Sequence, residues 1–379
     1  MEIIFNWYLW VFPIFGIFLF IESSKKRLFV SNNTLPNMPL DYNLADKYRA
    51  SILFSILVFL PMILIAGYRK QYSIGDTYLY VSMFNNYPNN ISGLGSFLTG
   101  EEKDAGFIIF STIIKQIFGN DFTIWLLIIA FISGGCLALT YRRYSSEIVF
   151  CAFLFFASTD FFAWMTNGMR QFMAAAILFA LFPLLEKKKM MGTLIFLAAN
   201  LILFYFHSSC IIVFPLFLAA RGKHFNKKII TVFIFVILAI IFLDQFTSIL
   251  DQSLRDTNYN SVSSQMQEDD GVNPFRVAFY TIPAFLAIVF KKKVDEHADG
   301  IISIAINMSL ISSSLYLLGV FTSGIFFGRL PIYFSLFNYI LLPWEIKTFF
   351  RQSNQAMIFS IVIVLYLIFY IYQMITWGF

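Results

Sequence analysis

Twelve apolar runs follow one another along this chain, and most are close to the length that crosses a bilayer as a helix. About 20 apolar residues span the hydrocarbon core, where a helix satisfies its own backbone hydrogen bonds. The predicted spans are 3–21, 51–67, 122–140, 148–165, 170–186, 191–206, 208–220, 229–247, 275–290, 300–320, 329–344 and 357–376. We therefore expect an all-α polytopic integral membrane protein with about 12 transmembrane helices, whose outward-facing loops form a cavity.

Composition excludes a water-soluble domain. The chain is 59% hydrophobic and 13% charged, with a mean hydropathy of +0.73, values far from those of soluble proteins. The first apolar run lacks a basic segment before it and a small-residue cleavage pattern, so we interpret it as a retained helix rather than a signal peptide. A single multi-span membrane domain over 1–379 is the expectation.

Three regions are not simple spans. Residues 191–220 fit either two spans or a re-entrant hairpin, because 208–220 is short for an untilted crossing. Residues 68–121 form an external loop in which 107–118 is an amphipathic helix on the membrane surface. Residues 248–274 form an external polar loop, which is either a lid over substrate or a plain solvated connection.

The basic residues predict the orientation. In this arrangement 19 of the 27 lysines and arginines fall in loops on one side, which the positive-inside rule makes cytoplasmic. Lysine outnumbers arginine there by 13 to 6, whereas five of the eight basic residues on the outer side are arginines. A topological signal needs only positive charge, so the arginine-rich outer side indicates chemistry.

The external arginines predict an anion site. They are Arg69, Arg170, Arg255, Arg276 and Arg329. A guanidinium binds phosphate oxygens with two parallel hydrogen bonds and keeps its charge at any pH. Helix starts predicted at 170, 275 and 329 add backbone N–H donors. We expect an outward-facing phosphate or pyrophosphate site; the alternative is that each arginine contacts ordinary lipid headgroups.

The segment GDTYLY predicts a carboxylate beside a sugar-binding surface. Asp76 is flanked by Thr77, Tyr78 and Tyr80, and aromatic faces stack on sugar rings while hydroxyls share hydrogen bonds. Asp76 is therefore a candidate proton acceptor. The alternative is that it caps a helix after the glycine turn.

His207 is the second candidate proton acceptor. It lies at the outer end of an apolar run, whereas His224 and His297 lie among lysines on the cytoplasmic side. Its imidazole can exchange protons near neutral pH or donate to a phosphate; the alternative is a helix cap formed with Ser208 and Ser209. Asp160 is a further functional candidate, because acids within membrane spans are costly.

Other chemistries find no support in the sequence. The three cysteines show no metal or disulfide spacing, and no Gly-rich nucleotide motif or HExxH motif is present. We expect no cofactor, no required metal and no nucleic-acid partner.

A series of short motifs resembles one family. They are Arg69 with Gly75-Asp76-Thr77 and Tyr80, an acidic stretch before Gly106-Phe107, Asn167 with Arg170-Gln171, His207 to Ser209, and Gly328 to Phe334. Their order is similar to that in the EpsG family of exopolysaccharide polymerases, related in role to the Wzy-type O-antigen and capsule polymerases. The acidic stretch departs from the pattern, since EEKD leaves open whether Glu102, Asp104 or neither matches.

The resemblance implies a polymerase at the outer face of a bacterial cytoplasmic membrane. Its substrate would be an oligosaccharide carried on undecaprenyl pyrophosphate, and its other partners would be membrane lipid, a chain-length regulator and a flippase. Arg170 and Arg329 are the first choices for the pyrophosphate, and Arg69, Arg255 and Arg276 the second. Asp76 or His207 would take the acceptor proton. Thr77, Tyr78, Tyr80, Gln171 and Tyr333 complete the predicted substrate-binding set.

Three other functions stay open. A flippase or transporter of lipid-linked oligosaccharide would handle the same substrate, but should carry broken helices near the membrane midplane and repeated halves. An O-antigen-type ligase would share the donor chemistry. A polysaccharide O-acyltransferase would need an acyl donor.

Overall fold

The protein is built from helices arranged in two compact units. The computed structural model describes residues 9–33, 47–98, 104–186, 189–243, 245, 248, 271–322, 324 and 327–377. In these residues the regular elements are helices, and no strand is present. The first unit comprises Met1–Ala180 with Phe350–Phe379, and the second comprises Leu181–Phe349. The expected all-α class is confirmed.

A close pair of helices forms the centre of the first unit. A Cβ at Gly67 would lie 2.3 Å from Leu127 Cδ2, and one at Gly134 would lie 2.5 Å from Ile63 Cγ1. The two glycines therefore let antiparallel helices approach closely, as small residues do inside membranes. The helices of this unit are Val11–Asn33, Ile52–Gly67, Thr77–Asn86, Leu94–Phe97, Ala105–Phe118, Phe122–Tyr144, Ile148–Ala157, Met169–Leu181 and Gln352–Thr376.

Within the described residues, three helices are long and apolar enough to cross a bilayer. They are Phe122–Tyr144, Gly300–Phe321 and Gln352–Thr376, matching three of the predicted spans. The bent pair Ile148–Ala157 and Phe161–Asn167 passes the same test together. Of the other predicted spans that the structure describes, the first lies in the 23-residue helix Val11–Asn33, and the rest are shorter helices. The apolar helices are those of a membrane protein, and its number of crossings stays a prediction.

The predicted span 148–165 is a broken helix rather than a straight one. Its halves meet at 85°, and the break falls at the polar residues Ser158, Thr159 and Asp160. Thr159 has a φ of 69°, a left-handed conformation that a β-branched residue rarely adopts. Asp160, the intramembrane acid singled out in the sequence, is fully buried at this break.

The first helix extends beyond its apolar run. The predicted span ended at residue 21, whereas the helix runs from Val11 to Asn33. Polar contacts hold the extension: Ile148 N–H donates to Glu22 Oε1 at 3.0 Å, and Lys26 Nζ pairs with Glu147 Oε2 at 2.5 Å. Hydropathy cannot detect such contacts, which explains the difference.

The second unit surrounds the helix Gly300–Phe321. Of the apolar stretch of this helix 83% is buried, whereas only 28% is buried in the corresponding stretch of Gln352–Thr376. Gly300–Phe321 therefore forms the core of the second unit. Asn307 on this helix donates to Ala220 O at 2.9 Å and to Lys223 O at 3.0 Å. The other helices are Pro183–Glu186, Met190–Phe204, Cys210–Ala220, Lys227–Ile241, Pro274–Tyr280, Ile282–Val289, Lys291–His297, Ile332–Ser335 and Asn338–Phe349.

The region 191–220 contains two helices packed against each other, and whether they are two spans or a re-entrant hairpin stays a prediction. Met190–Phe204 and Cys210–Ala220 pack together, and the rings of Phe196 and Phe217 have centroids 5.2 Å apart. Helices of 15 and 11 residues measure about 22 Å and 16 Å, against a hydrocarbon core of about 30 Å.

Candidate functional site

Two of the sequence motifs meet in the first unit. Asn167 Oδ1 accepts a hydrogen bond from Asp76 N–H at 2.8 Å. A Cβ on Gly75 would lie 2.3 Å from the same oxygen, and Gly75 has a φ of 47°. Only glycine meets both demands without strain. The turn before Asp76 is therefore fixed onto the end of the helical segment Phe161–Asn167, three residues before Arg170.

The Asp76 carboxylate is not used as a helix cap. Asp76 occupies the cap position of the helix Thr77–Asn86, but its side chain makes no capping hydrogen bond. It forms no ion pair or side-chain hydrogen bond with the described residues, and it is half-buried. By contrast, Asp121 accepts from Thr123 N–H at 2.8 Å at its own helix start. The Asp76 carboxylate is thus available for chemistry.

Arg170 lies beside the helix Thr77–Asn86, which begins directly after Asp76. Its Nη1 pairs with Asp104 Oδ2 at 2.6 Å, and its Cζ lies 5.5 Å from the ring centroid of Tyr80. Tyr80 follows Asp76 by one helical turn, so both side chains are on one face of that helix. The Arg170 side chain is 23% exposed, which leaves the guanidinium partly accessible.

Asp104 is held for this contact by an unusual backbone. Its φ of 59° is left-handed, and it directly precedes the helix Ala105–Phe118. Lys115 on that helix is 3% exposed and donates to Phe84 O, Asn85 O and Tyr87 O at 3.1, 2.9 and 2.8 Å. An ammonium at the last carbonyls of a helix is favourable. Lys115 therefore fixes the helix of Asp104 against the helix of Tyr80.

A protonated phenol completes these surroundings. Burial raises the pKa of Tyr87 to about 12, with the nearby Asp104 and Tyr80 adding to the rise and Arg170 opposing it. The hydroxyl therefore keeps its proton at neutral pH and remains a hydrogen-bond donor. Tyr87 and Asn167 were not in the predicted site, although Asn167 belongs to the motif that contains Arg170.

Arg69 is directed into the protein. It is 6% exposed, and its guanidinium donates to Thr77 Oγ1 at 2.9 Å, to Met169 Sδ at 3.3 Å and to Ala66 O. Thr77 Oγ1 in turn donates to Ile74 O at 2.5 Å. Both residues therefore tie the Asp76 turn to the end of the preceding helix, and a direct role in substrate binding stays a prediction for them.

Exposed aromatic rings lie on the other side of Asp76. Tyr72 and Tyr78 are 83% and 46% exposed, and their rings are stacked with centroids 6.2 Å apart and an interplanar angle of 19°. Tyr78 was predicted for sugar contact and Tyr72 was missed, although its place four residues before Asp76 could have indicated it. Gln171, which was also predicted to bind substrate, is buried, with 3% of its surface exposed. A contact of Gln171 with substrate stays a prediction.

In the second unit, two further motifs meet. Ser209 Oγ lies 2.7 Å from His207 Nδ1 and 2.9 Å from Tyr333 OH. Ser209 N–H also points to His207 Nδ1, at 3.4 Å. That backbone contact favours the neutral tautomer of His207 whose proton is on Nε2. His207 is therefore arranged to donate a hydrogen bond or to accept a proton through the relay on Nδ1.

The segments of Arg276 and Arg329 converge on one glycine. Val272 N–H donates to Gly319 O at 2.9 Å, and a Cβ at Gly319 would lie 3.3 Å from the backbone of Gly328. Arg276 is in the helix Pro274–Tyr280, where its Cζ lies 5.4 Å from the Tyr280 ring centroid. Arg329 is exposed in a 3-10 turn, Phe327–Arg329, rather than at the start of a long helix as predicted.

Some predicted residues fall outside the described part of the chain. They are Glu102, Arg255 and most of the polar loop 248–274. Among the residues that are described, no group of three or more histidines, cysteines, aspartates or glutamates could hold a metal ion.

Comparison with known proteins matches most of the chain to one family model. The match is to the EpsG family and covers residues 52–379, which includes every motif described above. No curated protein and no solved structure matches the chain.

Proposed function

Because this chain belongs to the EpsG family, we propose that it polymerises oligosaccharide repeat units carried on undecaprenyl pyrophosphate. The reaction takes place at the outer face of a bacterial cytoplasmic membrane, where lipid-linked units are supplied by a flippase. A chain-length regulator limits the product. Family membership and the apolar helices support the polymerase role in a membrane; the lipid carrier and the orientation are part of the proposal.

One contact carries the proposal for the site, namely that of Asn167 with the Gly75-Asp76 turn. It joins the turn that presents a carboxylate to the segment that presents Arg170. A glycosyl transfer from pyrophosphate needs a proton acceptor for the attacking hydroxyl and positive charge for the leaving group. Asp76 and Arg170 are residues of these two types.

The step transfers one glycan and one proton. A hydroxyl oxygen of the acceptor sugar bonds to the anomeric carbon of the donor, while the bond from that carbon to the phosphate oxygen breaks. Asp76 takes the hydroxyl proton, and the lipid pyrophosphate leaves with the electron pair of the broken bond. Arg170 stabilises the charge on the leaving group. Arg170 also pairs with Asp104 through Nη1, and its side chain is partly exposed.

The aromatic pair provides the surface for a sugar. Tyr72 and Tyr78 present exposed faces within four residues of Asp76, and stacking of a pyranose on such rings orients its hydroxyls. We assign this pair to the acceptor unit. Arg329 in the second unit is exposed and is assigned to a phosphate as well, with Arg276 and Arg255 as further choices.

Purified protein and synthetic undecaprenyl-pyrophosphate repeat units test the proposal. A ladder of products spaced by one repeat unit is expected from the wild type, and single units only from Arg170→Ala and Arg329→Ala. The matched control is Arg351→Ala, an exposed arginine outside the site. Normal ladders from both variants would refute the pyrophosphate assignment, and no ladder from the wild type would refute the polymerase.

One observation favours a second function, that of a flippase or transporter. The helix broken at Ser158 to Asp160 bends by 85° and carries a fully buried acid, and broken helices with buried charges occur in transporters. Movement of a fluorescent lipid-linked unit across a proteoliposome membrane, with no ladder formed, would support this function over the polymerase.

A further inference from the structure

A buried carboxylate in the second unit has no part in the proposed reaction. Glu345 is on the helix Asn338–Phe349 and is fully buried. Neither of its carboxylate oxygens has a hydrogen-bond partner among the residues that the structure describes. A buried acid without partners is costly in a membrane protein, and such residues are commonly functional.

Contacts of Tyr280 set the register of the helices around this acid. Its ring stacks on that of Tyr316 with centroids 5.1 Å apart, and its carbonyl accepts from Asn338 Nδ2 at 3.1 Å. Further along, the rings of Phe290 and Phe349 stack at 4.7 Å. The helices that follow Tyr280 and Asn338 therefore run in parallel. Gly300–Phe321 runs antiparallel to them, because Val272, before Tyr280 in the chain, bonds to Gly319, which comes after Tyr316.

Two helical turns from this level, the helix register places three residues near one another. Ser309 is seven residues before Tyr316, Glu345 is seven after Asn338, and Ala287 is seven after Tyr280. Seven residues advance a helix by about 10.5 Å and return to nearly the same face. Because one helix is antiparallel, all three displacements have the same direction. The register places Ser309 and Glu345 at one level, with the small side chain of Ala287 facing them.

The serines on this face behave differently from their neighbours. Ser313 and Ser314 donate to the carbonyls four residues earlier, at 2.8 and 2.9 Å, as serines within helices usually do. The hydroxyls of Ser309 and Ser312 are buried, and in the described part of the chain neither has a hydrogen-bond partner. Ser312 is four residues before Tyr316 and lies on the same helix face as Ser309. The register thus places near one another three side chains whose buried oxygen atoms lack partners among the described residues.

We propose that Glu345, Ser309 and Ser312 bind a sodium ion. Hard cations bind carboxylate and hydroxyl oxygens, and one positive charge cancels the single negative charge of Glu345. A divalent ion would leave net charge in an apolar interior, which is unfavourable. On the facing helix Ala284 and Ala287 are both buried, and their side chains are single methyl groups that carry no competing charge.

Thermal unfolding of the purified protein tests this site without any polymer assay. Tm is measured in detergent while sodium chloride replaces choline chloride at constant ionic strength and a fixed, mildly alkaline pH. The wild type is expected to gain about 3 °C or more with sodium, because a ligand of the folded state stabilises it. Glu345→Gln and Ser309→Ala should lose this gain.

The matched control is Ser313→Ala, which removes a hydroxyl already bonded within its own helix, and it should keep the sodium response. A wild-type Tm that is the same in sodium and choline would overturn the proposal, as would a full sodium response in Glu345→Gln. Failure here leaves the polymer ladder unaffected, so the two proposals are tested separately.

Discussion

Asn167 accepts a hydrogen bond from the backbone of Asp76, and its oxygen lies where a side chain on Gly75 would have to be. Two motifs that are about 90 residues apart in the chain are therefore one structural unit.

Gly75→Ala should abolish polymer formation. The new Cβ would lie 2.3 Å from Asn167 Oδ1, so the Asp76 turn would have to move away from the segment of Arg170. Gly119→Ala is the control, because Gly119 also has a positive φ, 78°, but nothing lies within 4 Å of its Cβ position. The control should lose about 1 kcal/mol of stability and keep its product ladder. Equal ladders from both variants would contradict the coupling.

Asp76→Ala and Asp121→Ala should have opposite effects. As the proposed proton acceptor, Asp76 should lower turnover about 100-fold or more when it is removed. The same change should leave Tm nearly unchanged, because Asp76 makes no capping hydrogen bond. Asp121 caps its helix, so its loss should cost about 1 kcal/mol and spare turnover. If Asp76→Ala stays active while His207→Ala does not, the proton acceptor is His207.

Exchange of the ion pair separates structure from catalysis. Asp104→Asn should lower Tm, since Arg170 would lose its carboxylate partner at 2.6 Å. The double variant Arg170→Asp with Asp104→Arg restores a pair of opposite charges, so its Tm should lie between that of Asp104→Asn and that of the wild type. It should remain inactive, because the cation no longer lies beside Tyr80. Recovery of activity along with Tm would show that Arg170 has a structural role alone.

Stability should fall as pH rises through the range in which Glu22 titrates. Glu22 follows the first predicted span, and burial raises its pKa above the ordinary 4.5, with Glu147 adding to the rise and Lys26 opposing it. Between the ordinary pKa of the unfolded state and the raised pKa of the folded state, the folded state binds more protons. The free energy of unfolding therefore decreases as pH rises through that range. Glu22→Gln keeps an oxygen for Ile148 N–H and should flatten the dependence of Tm on pH. An unchanged slope would assign it to another group.

The sequence predicted the helical class, and it named most polar residues of the candidate site without showing which of them contact one another. Apolar length identifies helices because the bilayer imposes it. Sequence pattern could not show that Arg69 is directed inward to Thr77. An arginine at the outer end of a span gives the same pattern whether its guanidinium binds a phosphate or a neighbouring helix.

Two deviations of the fold have local causes that hydropathy averages away. The polar residues at 158–160 break a span by 85°, and contacts of Lys26 with Glu147 continue the first helix beyond its apolar run. The break is a matter of a few consecutive polar residues, whereas the first helix is extended by contacts between segments distant in sequence, and a residue-by-residue scale contains neither.

The reactivity of the Lys115 amine reports whether the helices Thr77–Asn86 and Ala105–Phe118 are in contact. Its ammonium is saturated by three carbonyls at the end of the helix Thr77–Asn86, so amine-acylating reagents should reach it only when the two helices separate. The exposed Lys70 reacts at once and provides an internal standard. The labelling rate at Lys115, followed by mass spectrometry of a single peptide, therefore measures how often the loop opens, and slower labelling with lipid-linked sugar present would reveal closure on substrate.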